Sequence, residues 1–135
     1  MKTIQMIFLL VVIIGAGKTQ GLAQNEKVKD GVYLVCEEMP EYPGGADSLR
    51  ADLVRSIKYP VEASKKGIQG KVYITFVVDE KGKIDNAKVV RGVDPMLDKE
   101  ALRVVSSLNK AWTPGKEKGK PVKVSYTLPV NFALN

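Results

Sequence analysis

The sequence predicts an α+β fold: a two-layer sandwich in which a small antiparallel sheet of about three strands carries two helices on one face. Three observations lead there. Val72, Ile74, Phe76 and Val78 alternate with Tyr73, Thr75 and Val77, and a second alternating run holds Val122, Val124, Tyr126, Leu128, Val130, Phe132 and Leu134 in phase. Two segments repeat apolar residues at helical spacing, one before the first strand and one before the last. The order is therefore helix, strand, strand, helix, strand.

Residues 24–30 are polar, and GVYLVCEEMPEYPGG follows with Pro40, Pro43 and a glycine pair. Proline excludes helix here, so residues 24–45 read as an extended lead-in that ends in a turn. A domain over 46–135 follows. From Ala46, Leu49, Leu53 and Ile57 recur with Val54 alongside, and Asp47 or Ser48 is placed to cap the open N–H groups. Pro60 ends this helix by forcing Tyr59 out of helical geometry, and the same proline suits the first turn of a new short helix with Ala63 inward. Gly67 fits the left-handed position that closes that helix, and Gly70 the bend into the first strand.

The turn DEKGK, with Gly82, connects to a partner strand, IDNAKVVRG. Ala87 and Val89 are in phase there; Ile84 is not, which predicts a bulge or a strand start. The second long helix is expected over 94–111, with Asp94–Pro95 as cap and first turn and Asp98 as a rival cap. Its buried stripe is Leu97, Ala101, Leu102, Val105 and Leu108, and Trp112 closes it. TPGKEKGKP reads as a loop. Pro129 lacks a ladder donor, so the last strand belongs at an edge or a bulge.

The N-terminus reads differently. Lys2 precedes an apolar run of 14 residues, Ile4 to Gly17. As a helix it would be roughly 21 Å long against a hydrocarbon core of about 30 Å, which suits a signal peptide over residues 1–23 with cleavage after Ala23. Export is therefore expected. Removing Lys2 and Lys18 lowers Lys plus Arg from 21 to 19 against 15 acids, so the net charge falls from +6 to +4. A surplus this small, spread along the chain, reads as solvated surface and not as a nucleic-acid footprint.

Apolar residues are 44% and charged residues 27% of the chain, as in ordinary globular proteins. There is no histidine and a single cysteine. Ser–His–Asp and Cys–His pairs, histidine metal sites, thiolate zinc sites and internal disulfides are thereby excluded. Cys36 lies in a half-apolar run and reads as a small buried residue. Glu37–Glu38 and Asp79–Glu80 read as turn charge, and the phosphate-binding glycine patterns are absent. No catalysis, cofactor or small-molecule substrate is expected. Trp112 and Phe132 read as core; Tyr59, at a helix break, is expected to keep an exposed face.

Tyr59–Pro60, Ala63, Gly67 and Gly70, then VVDEKG, Leu97–Asp98 with Ala101, Trp112 with Pro114, Gly119–Lys120–Pro121–Val122 and Pro129–Val130–Phe132 together resemble the TonB C-terminal domain family over about residues 55 to 134. The lead-in MPEYPGGADSL resembles that of the Bacteroidetes branch. The resemblance implies a cell-envelope binding module for the periplasmic side of outer-membrane TonB-dependent transporters, or another envelope protein. It implies capture of a short extended segment as an added strand beside the last strand. Carried over residue by residue, the partner site is Lys58, Tyr59 and Pro60 with Val124, Ser125, Tyr126, Thr127, Leu128, Pro129, Val130 and Asn131. A full energy transducer of this family keeps an N-terminal anchor and a long proline-rich spacer. The stretch from Gln24 to the first helix, by contrast, is about 22 residues and reaches roughly 75 Å at most. Three readings stay open: a soluble periplasmic binding module, a minimal transducer with an uncleaved anchor, and a structural or self-associating module that pairs through its last strand.

Overall fold

The computed structural model describes residues 27–134; the expected signal peptide, residues 1–23, lies outside them. Strand β1 (Val28–Lys29) and β2 (Val32–Tyr33) form a hairpin, followed by helix α1 (Gly45–Ser56) and the short helix α2 (Val61–Lys65). Strands β3 (Gly70–Val78) and β4 (Ile84–Arg91) lead to helix α3 (Pro95–Ser106). Strands β5 (Gly115–Glu117), β6 (Lys120–Val122) and β7 (Val124–Phe132) complete the chain. The main sheet runs β1-β2-β7-β3-β4, and β5-β6 is a separate ribbon. The α+β class stands, and the sheet holds more than the expected three strands, because the β1–β2 hairpin joins it; β5–β6 is a second added hairpin.

The alternation of β3 is realised in full: Val72, Ile74, Phe76 and Val78 are all completely buried. Their partners under the helices are Leu49, Leu53, Leu97, Ala101, Val104 and Val105. Nine consecutive residues of β3 pair antiparallel with β7, from Gly70↔Phe132 to Val78↔Val124. The out-of-phase Ile84 has its cause in a bulge. Val78 pairs with Ile84 and Val77 with Asp85, but Thr75 pairs with Lys88, and Asn86 takes φ 55 to absorb the extra residue.

Three local expectations are corrected. Neither Asp47 nor Ser48 caps α1; the cap position is Gly44 at φ 85, and the Gly44–Gly45 turn starts the helix earlier. Helix α3 stops at Ser106, where the Ser107 hydroxyl donates to the Val104 carbonyl at 2.7 Å, so Trp112 lies beyond the helix. Asp94 is its cap, accepting from Met96 N–H at 2.9 Å, while the rival Asp98 reaches back to Val93 N–H at 2.9 Å. TPGKEKGKP is a hairpin, because Lys118 and Gly119 (φ 52 and 79) make a two-residue turn whose twist matches paired strands.

The lead-in packs against the rest of the chain. Asp30 and Gly31 (φ 53 and 78) turn the β1–β2 hairpin. Glu38 and Glu41 then exchange backbone bonds with Lys116 and Thr113, at 2.8–3.0 Å. Tyr42 is buried edge-on against Trp112 with ring centroids 5.3 Å apart. Cys36 is buried as expected; its thiol donates to the Glu38 carbonyl at 3.1 Å, and burial pushes its pKa up.

A half-open strand edge and its neighbouring corner

Strand β7 has β3 along one side for its whole length. On the other side β2 meets it in parallel at a single position, Tyr33↔Val124. Tyr33 N–H donates to the Lys123 carbonyl at 2.8 Å. Because a strand residue sends its N–H and C=O to the same side, and successive residues alternate, the odd-numbered residues of β7 face this edge. Past β2, the groups on offer are those of Thr127, Pro129 and Asn131. No strand pairs with them among the described residues.

That parity explains Pro129. Its missing donor faces the open edge, so the ladder to Tyr73 on β3 loses nothing. A proline is thus accommodated in a strand that is internal by sheet order. The side chains of Val124, Leu128 and Val130 point to the buried face, and Tyr126 is half-buried, stacked on Phe76 with centroids 5.6 Å apart. Ser125, Thr127, Pro129 and Asn131 line the other face, where the Thr127 hydroxyl meets that of Thr75 at 2.6 Å. A partner along this edge would read backbone first.

Helix α1 overhangs the open part. Arg50, Leu53, Val54 and Ile57 share one helix face and, with Pro129, Val130 and Asn131, enclose a groove of about 260 Å³. Val54, which the helical spacing sets alongside the Leu49–Leu53–Ile57 row, is 67% exposed beside this groove.

The corner residues divide. Tyr59 packs its ring edge-on against Phe132, 5.6 Å between centroids, and its hydroxyl donates to the Ile68 carbonyl, so it abuts the end of β7. Lys58 and Pro60 line a different hollow with Val61, Met96, Lys99, Glu100 and Arg103. Lys58 N–H donates to Glu100 at 2.6 Å, Arg103 grips the same carboxylate at 2.7 and 2.8 Å, and Arg103 also reaches the Ser56 carbonyl at 2.9 Å. The Arg103 guanidinium and the Lys58 N–H hold the Glu100 carboxyl below its ordinary pKa. The structure therefore joins Tyr59 to the strand and sends Lys58 and Pro60 to α3. Sequence reasoning missed Arg50 and Lys99, at exposed helical positions, and the half-buried Met96, none of which carries a local signal of a site. It also missed the Asp30–Gly31 hairpin, although that dipeptide is a known turn pair.

A family model described as the Gram-negative bacterial TonB protein C-terminal matches residues 55–134. No curated protein matches the chain. Among solved structures, a Helicobacter pylori TonB C-terminal domain in solution superposes with TM-score 0.50 at 22% identity, covering 64% of this chain and 90% of that one. A Pseudomonas aeruginosa TonB C-terminal domain gives TM-score 0.47 at 28% identity, covering 58% and 79%. A longer Helicobacter pylori form gives 0.47 at 19% identity, covering 90% and 98%.

Proposed function

Since the chain belongs to the TonB C-terminal domain family, we propose that it is a periplasmic binding module that captures an extended segment of an outer-membrane transporter, or of another envelope protein, as a strand added to β7. The observation that carries this reading is the half-open edge. Backbone groups of Thr127, Pro129 and Asn131 stand without a strand partner beside a nine-residue strand whose other side is fully paired. An unpaired edge is a template for a further strand, and main-chain bonds supply most of the attraction in such additions. The groove under α1 takes the inward side chains of the added strand, and β2 limits its extent by occupying the first position.

On the same reading residues 1–23 are removed on export, and binding proceeds without mechanical work. N-terminal sequencing of the exported protein tests this, with a mature N-terminus at Gln24 as the expected outcome. Retention of the full N-terminus in the inner-membrane fraction would turn the reading to a minimal transducer.

Binding is tested with synthetic peptides copied from the periplasm-facing N-terminal segments of the host's outer-membrane transporters. Slowed amide exchange at Thr127 and Asn131 is expected on binding. Thr127→Pro deletes the central outward donor without touching the β3 ladder, so the fold should persist while peptide affinity drops at least tenfold. Unchanged affinity in that variant would refute strand addition here.

A further inference from the structure

The hollow beside the Tyr59–Pro60 corner is distinct from the β7 edge and has its own chemistry. It encloses about 430 Å³ between the chain following α1 and the first turns of α3. Tyr59, Pro60, Val61 and Met96 make its apolar lining, and Val61 is 67% exposed within it. Val61 is the strongly exposed member of this lining, and it extends the half-buried Tyr59 and Met96 into one contiguous apolar surface, the kind of patch that marks interaction sites.

Its walls are pinned. Glu100 accepts from the Lys58 N–H and from Nε and Nη2 of Arg103, and the same Nη2 ties the Ser56 carbonyl to α3. A pre-ordered hollow loses little conformational freedom when something enters it. Its charge is equally defined. Glu100 pairs with Arg103 at 2.7 Å and also feels the Lys58 charge, while neither Lys58 nor Lys99 on the rim forms a close ion pair of its own among the described residues. The rim is positive, and the apolar lining has room for one or two bulky side chains.

We infer that this hollow is a second peptide subsite, which takes one bulky apolar side chain of an extended segment while acidic residues next to that side chain meet Lys58 and Lys99. The ring of Tyr59 lines the hollow and also abuts Phe132, the last residue of β7, so the hollow adjoins that end of the strand. The inference rests on the strand-addition reading only in taking an extended peptide as the partner. Positive rim charge accelerates the approach of an acidic segment and selects against a basic one.

The test uses the full-length chain labelled at its methionine methyls. Met96 lies in the hollow, and Met39, 44% exposed in the lead-in, reports from elsewhere. The probe is an octapeptide of glycine and serine carrying one leucine followed by two glutamates. A saturable shift of Met96 with Met39 still is expected, weakened about tenfold by Lys99→Glu, by Val61→Asp, or by glycine in place of the peptide's leucine. Both substituted positions are exposed, and an unchanged melting curve verifies the fold.

The proposal is overturned by a silent Met96 at millimolar peptide, or by equal binding of a counterpart with lysines for the glutamates. It also falls if Met96 shifts with protein concentration alone, which would indicate a second copy. Phosphatidylglycerol vesicles moving Met96 where the peptide does not would indicate a membrane surface instead. The Thr127→Pro chain separates the two readings. Met96 responding in that variant keeps the hollow even if strand addition fails; transporter peptides that protect Asn131 while the octapeptide leaves Met96 silent remove the hollow alone.

Discussion

At the scale of single residues, position 82 shows how a glycine can be required twice over. Gly82 has φ +83, and a Cβ there would sit 2.0 Å from the Trp112 carbonyl oxygen. The close approach exists because the Gly82 carbonyl accepts the Trp112 N–H at 2.9 Å, docking the β3–β4 turn onto the segment after α3. Left-handed backbone at a non-glycine residue costs about 1–3 kcal/mol before any clash is counted, so Gly82→Ala should destabilise by at least about 2 kcal/mol in urea unfolding. Glu100 makes a pH prediction. Its folded pKa is depressed by Arg103 and by the Lys58 N–H, so its stabilising contribution is complete above the ordinary glutamate range. That contribution is lost as pH falls through the depressed folded value. Glu100→Gln should therefore flatten the acid limb of the stability curve, and thermal melts between neutral and acid pH measure it.

At the scale of elements, local signals and local outcomes agree where one residue's chemistry suffices. Asp94 and Pro95 open α3 as their types require, and Asp94→Ala should cost about 1 kcal/mol with little change in helix length. Pro60 opens α2 as its cap residue, with Ala63 completely buried inside that helix, but α1 already stops at Ser56, where Ile57 is extended, so Pro60 is not what ends it. Agreement stops where a second element competes. The helical pattern runs to Ala111, yet Trp112 is drawn to Gly82 and its ring sits among Tyr42, Phe76 and Tyr126, so the last residues of the pattern are unwound. Val104 rather than Leu102 completes the buried stripe for the same reason: packing on β3 and β4 selects the face, and hydropathy alone cannot choose between near-equal neighbours.

At the scale of the whole molecule, the lead-in is held by a network around the buried Asp52, with Arg55 and Lys110 reaching it from the surface. The Tyr42 hydroxyl donates to Asp52 at 2.5 Å, Arg55 pairs with the same carboxylate, and Lys110 approaches it at 3.0 Å. These contacts join three distant parts of the chain around one buried aspartate, which no local pattern announces. Tyr42→Ala removes the buried ring and the hydroxyl together and should cost about 3 kcal/mol by denaturant unfolding. A cost below about 1 kcal/mol would mean that the lead-in is held only by its backbone bridges.

Residue types and alternation alone were enough for the α+β class, the buried face of β3, the opening of α2 at Pro60 and the absence of a ladder donor at Pro129. Each follows from the stereochemistry or hydrophobic alternation of a few consecutive residues. Only the tertiary structure decided that β2 covers the first position of β7 and leaves the rest open. It alone brought Met96 and Lys99 to Pro60 and placed Tyr59 between the strand end and the hollow. Those facts depend on contacts between residues far apart in the chain, where free energy is set by which surfaces meet, and no local residue pattern encodes that choice.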